Sequence, residues 1–179
     1  MLNIEGWATP EHQMQLHKMI EELGVISVIE IGSFIGASAV WFASHDQIRW
    51  VTCIDPFEDH TEWSADLVRC GIPNPYFDVF WENIKGYGVA HKIFPCKMFS
   101  ADAAQGTAPA DLVFIDGDHS YEGCASDIRL YLPKARKVIC GDDYHSNDAG
   151  VPHFPGVVQA VNELLPGHSY IGGFWWKLT

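Results

Sequence analysis

The sequence predicts an α/β fold, a doubly wound and mostly parallel sheet with a C-terminal antiparallel hairpin. Three observations predict it. Short Val/Ile-rich runs without polar alternation, the pattern of strands buried on both faces, recur along the chain. Stretches with helical spacing separate them, as parallel strands joined by crossovers require. The rhythm breaks only at the end, where Gly172-Gly173 stands between two short apolar runs and reads as a hairpin turn.

Thr9-Pro10-Glu11 starts the first helix: Thr9 can cap free N–H groups, Pro10 suits the first helical position and Glu11 complements the helix dipole. Leu16, Met19, Ile20 and Leu23 follow at helical spacing, and Gly24 ends the segment. Val25 to Ile31 is the first strand, Gly32-Ser33-Phe34-Ile35-Gly36 a turn and Ala37 to Ser44 a helix, together half a βαβ unit. Trp50 to Ile54 forms the second strand, stopped at Asp55-Pro56 because proline cannot continue the ladder. Ile93 and Phe94 lie in a third, Leu112 to Ile115 in a fourth and Val138 to Cys140 in a fifth. Helices are expected around Ala101 to Ala104, over Tyr121 to Leu132 and over Gly156 to Leu165, with the hairpin in Ser169 to Thr179. The least regular part is Phe57 to Tyr87, where Trp63, Tyr76, Phe77, Phe80 and Trp81 crowd with Pro73 and Pro75. Two readings stay open for it, a lid over a pocket and a cap packed on the core.

A chain of 179 residues, 47% hydrophobic, suits one domain with a sizeable core, and its aromatic content separates it from disordered chains. A formal net charge of -12 argues against nucleic acid and anionic membrane surfaces as partners. Lys134, Arg136 and Lys137, the tightest basic grouping, read as a solvated turn beside the fifth strand. The five cysteines are odd in number and lack CxxC spacing, so they read as reduced packing residues. No basic leader or apolar run of roughly 20 residues is present, and a cytoplasmic location is expected.

In an open α/β sheet, ligands bind outside the carboxyl ends of the strands. Acids stand at four of those ends: Glu30, Asp55, Asp116 with Asp118 and His119, and the Asp142-Asp143 pair. The turn after Glu30 lacks GxGxxG spacing, which disfavours a dinucleotide. Its glycines still allow close backbone approach, while the acid repels phosphate and attracts an amino or sulfonium group. Asp55 stands where a ribose diol is commonly held. Each feature also has a structural reading: tight turns need glycine, acids cap turns, and His119 can bond a loop. No zinc spacing, nucleophile elbow or P-loop occurs, and His145 reads as peripheral to the acidic pair.

Taken together, Val28-Ile29-Glu30-Ile31-Gly32, Cys53-Ile54-Asp55-Pro56, Asp111 through Glu122, Gly141-Asp142-Asp143-Tyr144 and Gly156 through Val161 resemble class I S-adenosylmethionine-dependent methyltransferases. The resemblance is to the branch of macrolide-sugar (macrocin-type) O-methyltransferases. It implies a Rossmann-like domain in which Glu30, Gly32, Ser33, Gly36 and Ser38 surround the methionine part of the cofactor. Asp55 would hold the ribose, Ser100, Ala101 and Asp102 would sit by the adenine, and Asp116 would border both cofactor and metal; Ser100 can also be read as the cap of the helix around Ala101 to Ala104. In metal-dependent members, acids at Asp116, Asp142 and Asp143 hold Mg²⁺ and a histidine at His119 is the base. Physical chemistry supports that set, because gathered carboxylates repel one another unless a cation or protons intervene, and hard cations prefer oxygen.

The implied reaction is methyl transfer to a hydroxyl of a small molecule, sugar or catechol-like. Two alternatives remain: a metal-dependent hydrolase or hydroxylase using the same acids, and a cofactor-binding domain without turnover. The Trp175-Trp176 tail fits either an edge strand or a homodimer interface.

Overall fold

The computed structural model describes residues 8–58, 71–144 and 153–179. Helix α1, Pro10–Leu23, begins where the Thr9 hydroxyl accepts the His12 N–H at 3.3 Å and ends at Gly24 in the left-handed conformation. Strand β1 (Ser27–Ile31) leads to α2 (Ala37–Ala43), β2 (Trp50–Asp55), α3 (Phe77–Gly86) and β3 (Ile93–Lys97). A short α4 (Ser100–Ala103) precedes β4 (Ala110–Ile115), α5 (Tyr121–Tyr131) and β5 (Ala135–Gly141). The chain closes with α6 (Pro155–Leu164), β6 (Ser169–Ile171) and β7 (Phe174–Leu178).

The strands form one sheet in the order β3-β2-β1-β4-β5-β7-β6. β1 to β5 are parallel, whereas β7 runs antiparallel to β5 and to β6, so the expected hairpin is added to one edge. Alternate residues of the same strands feed two separate cores, as the pleat demands. Val28, Val51, Leu112 and Phe114 pack with α1, α2 and α3, while Ile29, Ile54, Val113 and Ile115 pack with α5 and α6. Because both faces are covered, the central strands read as uninterrupted apolar runs. The order reverses between β1 and β4, which opens a crevice at their carboxyl ends.

Several boundaries move for identifiable reasons. β1 starts at Ser27 rather than Val25, because the Val25 N–H returns to Ile20 and the Ile26 N–H goes to the Asp111 carboxylate at 2.9 Å. β3 runs on to Lys97 as an edge strand with Phe94 and Pro95 exposed, an outer position where proline is tolerated and apolar patterning fades. The basic grouping is not a solvated turn. Lys134 donates to the Thr107 carbonyl at 2.9 Å, and Lys137, inside β5, donates to the Gly24 carbonyl and pairs with Asp111.

In the irregular segment, Phe57 and Phe80 are fully buried with ring centroids 4.7 Å apart, and Tyr76 and Ile84 join the same core. Its described part is therefore a core-packed cap; Trp63 and the rest of 59–70 lie outside the described residues. Cys53, Cys124 and Cys140 are buried and free, and Cys96 is free and half-buried, as packing residues should be; Cys70 lies outside the described residues. Among the described residues, no helix is long and apolar enough to cross a membrane.

Candidate active site

The first wall of the crevice is the turn that follows β1. Glu30 shares the face of Val28 and is fully buried. Its Oε2 accepts a short hydrogen bond from the Ser33 hydroxyl, while Oε1 has no hydrogen-bond partner among the described residues. Burial pushes the Glu30 carboxyl up to about 7, against the lowering effect of the Ser33 and Ser38 hydroxyls. Gly32 has φ +85, and a Cβ there would stand 2.0 Å from the Asp116 carbonyl oxygen. At Gly36, φ +89, the nearest obstacle is the Phe80 ring at 3.0 Å. Both glycines are thus required by packing against β4 and α3, whatever ligand enters the turn.

Asp55, at the end of β2, is 5% exposed. Its Oδ2 accepts the Phe34 N–H at 2.8 Å, and its Oδ1 accepts the Phe57 N–H at 2.6 Å and the Tyr76 hydroxyl at 3.0 Å. Burial raises its carboxyl above the ordinary value, and these donors partly offset the rise. Asp55 therefore ties the turn to the cap, a role its sequence position did not reveal. On the neighbouring side, Ser100 is the first residue of α4 rather than its cap; its hydroxyl donates to Asp127 Oδ1 and its carbonyl accepts the Tyr131 hydroxyl. Ala101 and Asp102 are exposed beside it.

The second wall carries Asp116, His119 and Asp143, which can each present a ligand atom within 4.8 Å of the others. His119 Nε2 lies 2.7 Å from Asp143 Oδ2 and 3.6 Å from Asp116 Oδ1, close enough for ion pairing but without hydrogen-bond alignment. Burial opposes charge on the imidazole, yet the two carboxylates outweigh it and push His119 up to about 10. Burial raises Asp116 to about 6, with Asp142 and Asp143 adding to the rise and His119 opposing it. Asp118 is exposed and accepts the Ser120 N–H, a turn-forming role.

Asp142 is not one of that three-residue group, although its charge is felt at Asp116. Its Oδ1 accepts the Asp143 N–H at 2.8 Å and lies 3.5 Å from His12 Nδ1. The first of these contacts supports Asp143 in its left-handed conformation, φ 66, which Asp tolerates. His12 is buried in α1, and its Nε2 accepts the Gly173 N–H at 3.1 Å, so the first helix and the last hairpin meet behind the acidic pair. Nothing local in the sequence marks His12. Trp175, fully buried, donates from Nε1 to the Asp142 carbonyl at 3.0 Å and is consumed within the chain. His145 lies outside the described residues.

A family model described as a methyltransferase domain matches residues 29–144, more than half of the chain. The chain belongs to that methyltransferase family. The match runs from β1 through Asp143, so it contains both walls of the crevice. A curated relative, the uncharacterized protein R132 of Acanthamoeba polyphaga mimivirus, is 28% identical over 147 residues, 78% of this chain. This methyltransferase domain spans 59% of that relative's length. Among solved structures, the O-methyltransferase from Bacillus cereus in complex with SAH is similar with a TM-score of 0.67 and 20% identity, over 96% of this chain and 82% of that one. The O-methyltransferase TomG from Streptomyces achromogenes, involved in tomaymycin synthesis and solved with SAM, is similar with a TM-score of 0.65 and 22% identity, over 96% and 80% of the two chains. At such identities the likeness is one of fold.

Proposed function

We propose that this domain is an S-adenosylmethionine-dependent O-methyltransferase acting on a small hydroxylated molecule, sugar or catechol-like, with Mg²⁺ assistance. The observation that carries the reading is the fully buried Glu30, whose Oε1 lacks a hydrogen-bond partner among the described residues, at the point where the strand order reverses. A buried carboxylate of that kind repels phosphate and favours a cationic amino or sulfonium group. SAM or SAH bound to structural relatives supports the same choice of ligand. Bound here, S-adenosylmethionine supplies a methyl group already activated on sulfur.

The chain's own residues then bind and orient. Glu30, with Ser33 and Ser38, faces the methionine end. Asp55 takes the ribose hydroxyls once the Tyr76 hydroxyl yields one of its acceptor positions. Ser100 and Ala101 border the adenine, and the close Gly32–Asp116 packing joins the cofactor wall to the chemistry wall.

Asp116 and Asp143 fit a hard divalent cation as oxygen donors, with open positions for water or an acceptor. Asp142, the third acid expected from the sequence, is assigned to fix Asp143. A cation held there supplies the charge that lowers the pKa of an acceptor hydroxyl. Between two free carboxylates His119 is held as an imidazolium that can only donate; were those carboxylates to hold a cation, the imidazole would be free to take the acceptor proton.

Calorimetric titration of S-adenosylmethionine and S-adenosylhomocysteine into the protein, with Mg²⁺ and with EDTA, tests the reading beside an Asp55→Ala variant. Binding that weakens by about tenfold or more in the variant is expected, the loss of a charged hydrogen-bonding acceptor. Absence of binding in both buffers would overturn the assignment. With a catechol acceptor, EDTA and His119→Ala should each cut turnover, the latter on the order of a hundredfold. Turnover indifferent to EDTA would remove the metal and leave the methyltransferase.

A further inference from the structure

At the opposite end of the sheet from the crevice, beside the amino ends of β1 and β2, two histidines meet. His17 Nδ1 of α1 lies 3.2 Å from Nε2 of His45, which follows α2. We propose that His17 and His45 form a second metal site, selective for a borderline transition ion such as Zn²⁺ or Cu²⁺, at the seam between α1 and α2.

The tautomers support this. His45 Nδ1 lies 3.0 Å from the Trp41 carbonyl oxygen, and because a carbonyl only accepts, that nitrogen carries the proton. Its Nε2 therefore presents a lone pair toward His17. A ring N–H held by a backbone carbonyl is the outer-sphere arrangement that fixes a ligating imidazole. Burial holds His45 below its ordinary pKa, which favours its neutral, ligating form. In the metal-free protein His17 donates its Nδ1 proton to that lone pair; on metal binding the proton moves to the other His17 ring nitrogen, so the ion binds without release of a proton.

The spacing also fits an ion. Two metal–nitrogen bonds of about 2.0–2.1 Å span such a gap at an angle of roughly 100°, near the tetrahedral value. Imidazole donors suit Zn²⁺, Cu²⁺ and Ni²⁺ rather than Mg²⁺. Glu21 is four residues after His17 on the same helical face, and Glu21 and Asp46 border the same depression of about 520 Å³. They supply negative charge beside the pair, and water completes the coordination of the ion.

The site is held in place before any ion arrives. Lys92 Nζ donates to the Ala43 and His45 carbonyls at 2.8 and 2.9 Å, fixing the end of α2. Gln47 Nε2 donates to the Ile20 and Val25 carbonyls at 2.7 and 3.1 Å, fixing α1 against the same loop. The Trp41 ring packs edge-on to the His45 ring, centroids 4.4 Å apart.

Electron paramagnetic resonance during Cu²⁺ titration of the full chain tests the proposal, with His17→Ala, His45→Gln and an Asp116→Asn/Asp143→Asn variant in parallel. We expect about one equivalent of Cu²⁺ per chain with two-nitrogen hyperfine structure. It should disappear in His17→Ala and persist in the double Asn variant. His17 is exposed, so its truncation leaves the core intact and that variant decides the matter even if His45→Gln folds poorly. Zn²⁺ should raise Tm in the wild type and not in His17→Ala. A Cu²⁺ signal unchanged by His17→Ala, or lost in the double Asn variant, would overturn the site and reduce the pair to an ordinary hydrogen bond.

Discussion

The two walls of the crevice handle buried acid in opposite ways. On the cofactor wall, Glu30 and Asp55 are surrounded by hydroxyls and backbone N–H groups, with no positive charge among their contacts to the described residues. On the other wall, Asp116 and Asp143 share one imidazole. Dipolar donors soften the cost of burying a carboxylate without cancelling its charge, so the first wall is left with a demand for a cation. The second wall already has one in His119, which a metal ion or a change in protonation must displace. The difference teaches that one wall is built to recruit a charged ligand and the other to move a proton.

The largest effect should come from the contact that joins the walls. Gly32→Ala puts a Cβ 2.0 Å from the Asp116 carbonyl oxygen at a φ of +85. Backbone, not a flexible side chain, is in the way, so we expect a loss of about 3 kcal/mol or outright failure to fold, read by urea denaturation. Wild-type-like stability would mean that the two walls are not rigidly coupled.

A smaller effect separates the walls by pH. Glu30 is raised from 4.5 to about 7, so the unfolded chain ionises first and stability should fall as pH rises through that window, then level off. Glu30→Gln should make that segment shallower, leaving the part that the raised Asp55 and Asp116 contribute, and should also weaken S-adenosylmethionine binding. His119 is raised from 6.5 to about 10; its contribution is fully present below 6.5 and is lost as pH climbs through the folded value. The slopes share a sign but not a cause, since one is a penalty appearing and the other a gain disappearing. Denaturation curves from pH 4 to 10 in which the lower slope of Glu30→Gln is as steep as that of the wild type would break the comparison.

The smallest effect tests the closure of the first wall. Tyr76→Phe removes one of the donors to Asp55 and should cost about 1.5–3 kcal/mol, as expected for a hydrogen bond to a charged acceptor. If Asp55 exchanges Tyr76 for the ribose, the same variant should bind S-adenosylmethionine as well as or better than the wild type in calorimetry. Weaker binding would make Tyr76 part of the pocket.

The sequence by itself determined the layering of this protein. Unbroken apolar runs specify strands covered on both faces, Thr9-Pro10 and Gly24 delimit the first helix, and Gly172-Gly173 sets the final hairpin, because periodicity, caps and tight turns are local properties. The same locality made Glu30, Asp55, Asp116 and His119 visible as residues ending or following strands. Tertiary structure alone decided which of them meet. It put His119 between Asp116 and Asp143, turned Asp142 toward His12, gave Asp55 to Tyr76 and brought His17 to His45. Apart from Asp116 and His119, three residues apart, those partners come from separate elements, and pairings across a fold depend on sheet order and helix packing, for which no short stretch of sequence carries a signal.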